Sequence, residues 1–130
     1  MNKMLANNLN EILEKYDFTD SIITSVKWSE NKLDLIVSVD YYWDVQEGRD
    51  TTRILKLIFK NCIKANFHIT NQLALDSNLV NTDSYFTIIL FKGKESDYLS
   101  EGKGKQVEIF TTDYSTPWLT VICREVILTE

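Results

Sequence analysis

The feature that most constrains this chain is a change of hydrophobic period at Ser21. From there Ile22, Thr24, Val26 and Trp28 alternate with Ile23, Ser25 and Lys27. After Ser29-Glu30-Asn31-Lys32, Leu33, Leu35, Val37 and Val39 alternate with Asp34, Ile36, Ser38 and Asp40. A period of two places alternate side chains on opposite faces of an extended chain. Two such runs joined by a short polar turn predict a β-hairpin. Before Ser21 the period is close to 3.6. Leu5, Leu9, Ile12, Leu13 and Tyr16 share one face, so residues 1–16 are expected to form a helix closed by Asp17 and Asp20.

Beyond the hairpin, Asp44 to Asp50 reads as a polar loop. Thr52–Phe59 is the next strand, with Leu55, Leu57 and Phe59 on one face. Cys62–Ile69 either continues the sheet after a bulge near Asn61 or is irregular, and residues 70–83 read as a loop with a short turn near Leu73–Leu75. Ser84–Lys92 is an apolar strand. Residues 93–105 hold three of the four glycines and read as an exposed loop. Gln106–Thr112 is a strand, Asp113–Pro117 a turn, and Trp118–Thr129 a long final strand. The order implies an α+β fold: one N-terminal helix packed on a mainly antiparallel sheet of six to seven strands, with a half-closed or closed barrel as the alternative. Strands apolar on both faces need a cover, and the helix is the available one. At 130 residues, 44% of them hydrophobic, the chain is expected to be a single domain, 1–130, with a core that needs no staples.

Cysteine and charge bound the function classes. Cys62 and Cys123 are too few for a disulfide framework, no signal peptide is visible, and the longest apolar run, Ile88–Phe91, is far short of a membrane span. The expectation is a cytoplasmic protein with free thiols, a single Cys62–Cys123 bridge being left open. Net charge is −5. Residues 1–50 hold ten acidic and five basic side chains, whereas 51–130 hold nine of each, so the whole excess lies in the first part. That pattern speaks against nucleic acid and anionic membrane and favours a basic partner, or serves solubility alone.

No catalytic motif emerges. His68 sits in Phe67-His68-Ile69, with no nucleophile in a recognisable context. One histidine and two distant cysteines do not make a zinc site, no calcium loop is present, and Gly102-Lys103-Gly104-Lys105 has neither the feeding strand nor the following helix of a phosphate loop. No cofactor is expected. An enzyme reading would rest on Asp40, Arg53 or His68 converging in a pocket.

The constellation that stands out is Asp40-Tyr41-Tyr42-Trp43-Asp44. If the strand continues, Asp34, Asp40, Tyr42 and Asp44 share an outward face, with Glu47 close by. Tyr41 and Trp43 then share the core face. These five polar residues are the candidate partner-binding edge: aromatics give rigid area and carboxylates give charge complementarity. The alternative is that the aromatics fill the core and the acids solvate the surface. A glycosidase-like carboxylate pair is a third reading. Tyr114 and Trp118, flanking Pro117, are the candidate wall of a small-molecule or carbohydrate pocket. A homodimer through a free strand edge is also open.

The segment Asp20–Trp28 followed by Leu33–Trp43 is similar in pattern to small uncharacterised bacterial proteins, some of them placed among the immunity proteins of polymorphic toxin systems. The similarity covers 20 of the 130 residues. It implies a non-enzymatic cytoplasmic protein that binds and blocks a cognate toxin, and it carries over no residue role.

Overall fold

A computed structural model describes residues 3–68, 86–97 and 104–130. Nine strands and two helices occur among them, in the order β1 (Met4–Ala6), α1 (Leu9–Lys15), β2 (Ile22–Trp28), β3 (Leu35–Asp40), α2 (Trp43–Gln46), β4 (Ile54–Lys60), β5 (Lys64–Phe67), β6 (Leu90–Ser96), β7 (Gly104–Phe110), β8 (Leu119–Cys123) and β9 (Glu125–Thr129). Every strand pairing is antiparallel. The strands form two open sheets, β1-β9-β4-β3-β2 and β5-β8-β7-β6, and no closed barrel. The expected α+β character and antiparallel pairing hold.

The hairpin expected from the change of period is β2–β3, with Val26 opposite Val37 and Trp28 opposite Leu35. Alternation then decides the core. Val37 and Val39, Leu55, Leu57 and Phe59, and Val126 and Leu128 face inward from the five-stranded sheet; Val107, Ile109, Leu119 and Val121 meet them from the other, all fully buried. Each such side chain contributes about 1.5–3 kcal/mol on leaving water.

The N-terminal helix is shorter than its period suggested. Asn8 is in extended conformation and its side chain accepts from the Glu11 amide, so the helix starts at Leu9. Asparagine competes with helical backbone bonding and favours caps. Ahead of it, Met4–Ala6 pairs with β9 instead of extending the helix. The helix still serves as a cover, with Leu9 and Ile12 buried.

Strand number exceeds six or seven because Met4–Ala6 adds a strand and the long final run is divided. Trp118–Thr129 breaks at Arg124, sending β8 to one sheet and β9 to the other. The 54–67 run breaks in the same place across the ladder, at Asn61, whose φ is +48°. One bent ribbon, β4–β5 against β8–β9, therefore belongs to both sheets.

The glycine–lysine stretch expected as loop is partly strand. Gly93 opposes Val107 and Lys94 opposes Gln106. Leu9 of the helix lies over Gly93: a Cβ there would lie 2.9 Å from Leu9 Cδ2. Glycine in a strand commonly marks such an approach. The turn expected near Leu73–Leu75 lies outside the described residues.

Candidate functional site: an aromatic groove with an acidic rim

Antiparallel pairing of Ile22 with Asp40 brings the segment before β2 alongside the segment after β3. Both segments carry aromatic and acidic side chains. Between them, closed by the last turn of α1 and the start of β6, lies an open groove of about 550 Å³. Its aromatic lining is Tyr16, Phe18, Tyr41, Trp43 and Phe91.

These rings brace one another. Tyr16 and Tyr41 meet edge to face at 5.8 Å, Phe18 and Tyr41 at 5.7 Å, and Phe18 lies 5.1 Å from Phe91. Such pairs add about 0.5–1.5 kcal/mol beyond area burial. Hydrogen bonds fix the rim: the Asp17 amide donates to the Tyr41 hydroxyl at 3.1 Å, and Trp43 Nε1 donates to the Thr19 carbonyl at 2.9 Å. The Thr19 amide donates to Asp17 Oδ1, giving the loop its own turn. The groove walls are thus positioned by the fold, at low ordering cost to a ligand.

Three exposed carboxylates, Glu14, Asp17 and Glu47, stand on this lining against one cation, Lys15. Lys15 is itself 3.7 Å from Glu11. Burial raises the Tyr41 hydroxyl pKa; the Asp17 amide works against that, and the charges of Glu47, Asp17 and Asp44 add to the rise. The groove therefore favours a cation and disfavours a second anion.

The five residues expected to form one acidic edge do not share a face. The chain leaves strand geometry after Asp40: Tyr42 is already in helical conformation, at φ −57° and ψ −43°, and α2 follows where a polar loop was expected. Gly48, at φ +105°, ends that turn in a conformation open to glycine. Asp44 is turned inward and only 1% exposed. Its Oδ2 accepts from the Arg53 backbone amide at 2.8 Å and from Arg53 Nε at 3.0 Å, while Oδ1 accepts from Arg53 Nη2 at 2.8 Å. Burial works against its ionisation, but the Arg53 guanidinium and amide, with Arg49, hold its pKa below the ordinary value.

Asp34 is likewise buried, bound to Lys60 Nζ at 2.7 Å and to the Asn61 amide at 3.0 Å. Desolvation opposes its charge too, and Lys60 with the Asn61 amide outweighs it, lowering the pKa. Both carboxylates are held by internal partners. Asp40 is half-buried at the end of β3, opposite Ile54, and its Oδ1 has no hydrogen-bond partner among the described residues. Tyr42 is exposed and packs edge-on against Trp43 at 5.1 Å. Of the five, Glu47 lines the groove.

Tyr114 and Trp118 do not form one pocket wall. Tyr114 is 69% exposed on a turn that Asp113 Oδ1 organises by accepting from the Ser115 and Thr116 amides. Trp118 packs edge-on against Phe67 and Phe86 and borders a cleft of about 200 Å³ with Ile23–Val26. That is below the roughly 300–1,000 Å³ of ordinary ligand pockets. His68 is exposed at the end of β5, where its amide donates to the Trp118 carbonyl. Neither the groove nor this cleft is lined by Asp40, Arg53 or His68. Among the described residues, no three histidine, cysteine or acidic side chains are grouped to hold a metal ion. No helix among them is long and apolar enough to cross a membrane.

Sequence reasoning passed over Glu14, Tyr16, Asp17, Phe18 and Phe91. The signal for three of them was present: Tyr16-Asp17-Phe18 mixes aromatic and acidic residues as 40–44 do, and the hairpin makes the two stretches neighbours. The chain matches no protein-family model, no curated protein and no solved structure at a significant level.

Proposed function

We propose that this chain is a non-enzymatic protein-binding domain whose groove receives a basic, partly apolar segment of a partner protein. The observation that carries the reading is the pairing of a braced aromatic floor with Glu14, Asp17 and Glu47 around it, opposed by Lys15 alone. Aromatic side chains dominate the energetics of interface centres, and carboxylates around them add steering and select the sign of the partner. Cationic side chains also bind favourably over aromatic faces. Immunity-type inhibition of a bacterial toxin is the biological setting in keeping with the pattern similarity of residues 20–43, and the excess acid of the first fifty residues suits a basic toxin.

The test is charge reversal at two exposed rim positions with no structural partner in the groove, Glu14→Lys and Glu47→Lys together, beside Glu108→Lys on the far face of β7 as a charge control. Proteins captured from a lysate of the source organism are identified by mass, and the partner is then purified for kinetics. The expected result is a basic protein bound by wild type and by the control. The double variant should associate at least about tenfold more slowly at low salt, with the difference shrinking as salt rises. Equal association by all three proteins would remove the groove from the interface.

A further inference from the structure

The bend in the shared ribbon places two thiols together. Lys60 opposes Glu125 on one side of the bend, and Lys64 opposes Ile122 on the other. Between those pairs Asn61, Cys62 and Ile63 face Cys123 and Arg124, a three-against-two bulge. The strands do not part there: the Arg124 amide donates to the Lys60 carbonyl at 2.9 Å and the Ile63 amide to the Ile122 carbonyl at 2.8 Å. The β4–β9 register, continued two residues past Lys60–Glu125, sets Cys62 against Cys123, and opposed residues of an antiparallel pair lie about 4.5–5.5 Å apart between Cα atoms, inside the roughly 4.4–6.8 Å span of disulfides.

The side chains also point to one side of the ribbon. Cys123 is a fully buried member of the core, and Cys62 is a half-buried residue packed against that same core. Both are free thiols, each donating to the carbonyl two residues further along the chain, Cys62 to Lys64 and Cys123 to Glu125.

We propose that Cys62 and Cys123 are a redox pair that closes to an intrachain disulfide across the bend when it meets a small oxidised disulfide such as glutathione disulfide. Cys62, the more accessible, loses its proton and attacks one glutathione sulfur, forming a mixed disulfide and releasing one glutathione thiolate. Cys123 then gives up its proton and attacks the Cys62 sulfur, releasing the second. Two protein thiols are oxidised to one disulfide, and glutathione disulfide is reduced to two thiols.

The environment sets the order and the pace. Burial pushes the Cys62 thiol up, and pushes Cys123 up to about 12, with the charge of the nearby Cys62 sulfur as its next cause. Both shifts disfavour the thiolate, and the first step belongs to Cys62, the more accessible of the two. A bridge there ties both sheets together at their common ribbon and closes the long loop between residues 62 and 123, so the oxidised protein is the more stable form.

The experiment treats the folded full chain with glutathione disulfide at mildly alkaline pH, blocks residual thiols with a maleimide, and reads intact mass and unreduced peptide maps. Tryptophan fluorescence confirms that the fold persists. The expected product has lost two hydrogens, takes up no maleimide, yields a Cys62–Cys123 cross-linked peptide, and melts several degrees higher. Cys123→Ser should stop with one glutathione on Cys62, and Cys62→Ser should stay unreacted. A folded wild type that accumulates the glutathione adduct, forms only intermolecular bridges or does not react would overturn the proposal.

Discussion

Asp34 and Asp44 flank β3, and each reaches to one end of β4. Asp34 grips Lys60 and the Asn61 amide where β4 ends, and Asp44 grips Arg53 immediately before β4 begins. The two carboxylates therefore hold β3 and β4 in register from both ends. Truncating one partner of a buried pair strands the other charge, at a cost of about 3–5 kcal/mol. Asp44→Asn is expected to lose about 3 kcal/mol, read as a lower urea midpoint with unchanged slope. A loss within error would mean that Arg53 finds another acceptor. The sequence displays both aspartates as part of an outward acidic stripe. Their burial was not legible because it depends on Lys60, 26 residues from Asp34, and on the chain turning helical at Tyr42.

At the scale of elements, the seating of α1 on β6 depends on an absent side chain. Gly93 lies beneath Leu9, which is 2% exposed and has little room to yield. Gly93→Val is expected to destabilise by about 2 kcal/mol, the usual range for inserting carbon into a filled site. In a Leu9→Ala background that cost should shrink by more than about 0.5 kcal/mol, because the removed side chain is the obstacle. Additive effects would show that helix and strand are not in contact through this pair. The hairpin was legible from the alternation of its two runs, but not the register shift between Ile23 and Ser25 or the start of β3 at Leu35, which leaves Leu33 exposed. The helix start was half-legible: its apolar period runs through Leu5, but Asn7 and Asn8 signal a cap, and β1 needs a partner strand, β9, that lies at the far end of the chain. The break at Arg124 was missed although the charged pair Arg124-Glu125 interrupts the apolar run there, because a two-residue interruption does not say that the halves join different sheets.

For the whole molecule, ionisation bounds stability from both sides. Asp34 and Asp44 have lowered pKa values in the folded state. Below about pH 4, the ordinary carboxylate range, the unfolded chain binds more protons than the folded one, so stability falls as pH falls. Tyr41, Cys62 and Cys123 have raised values. Above about pH 8.5 the unfolded chain releases protons that the folded chain retains, so stability falls again as pH rises. Urea midpoints from pH 3 to 10 should trace a plateau between these limbs, and Asp44→Asn should flatten the acid limb. A monotonic profile would contradict both assignments. The α+β class and antiparallel order were legible because helical and strand periods occupy separate parts of the chain. The groove was not, because its floor joins residues 16–18, 41–43 and 91, which only the folded sheet brings together.

The shared ribbon also governs the order in which the protein can be made. β9 lies between β1 and β4, and β8 lies between β5 and β7. Until residues 119–129 have left the ribosome, the five-stranded sheet lacks its second strand and the four-stranded sheet is divided in two. Contacts between segments so far apart in sequence form late and slowly. The nascent chain must carry unpaired edges of β4 and β5, and more briefly of β7, from their own synthesis until β8 and β9 emerge, a period in which such edges invite association with other chains. The last stretch translated among the described strands is thus the one that turns two unfinished half-structures into a protein.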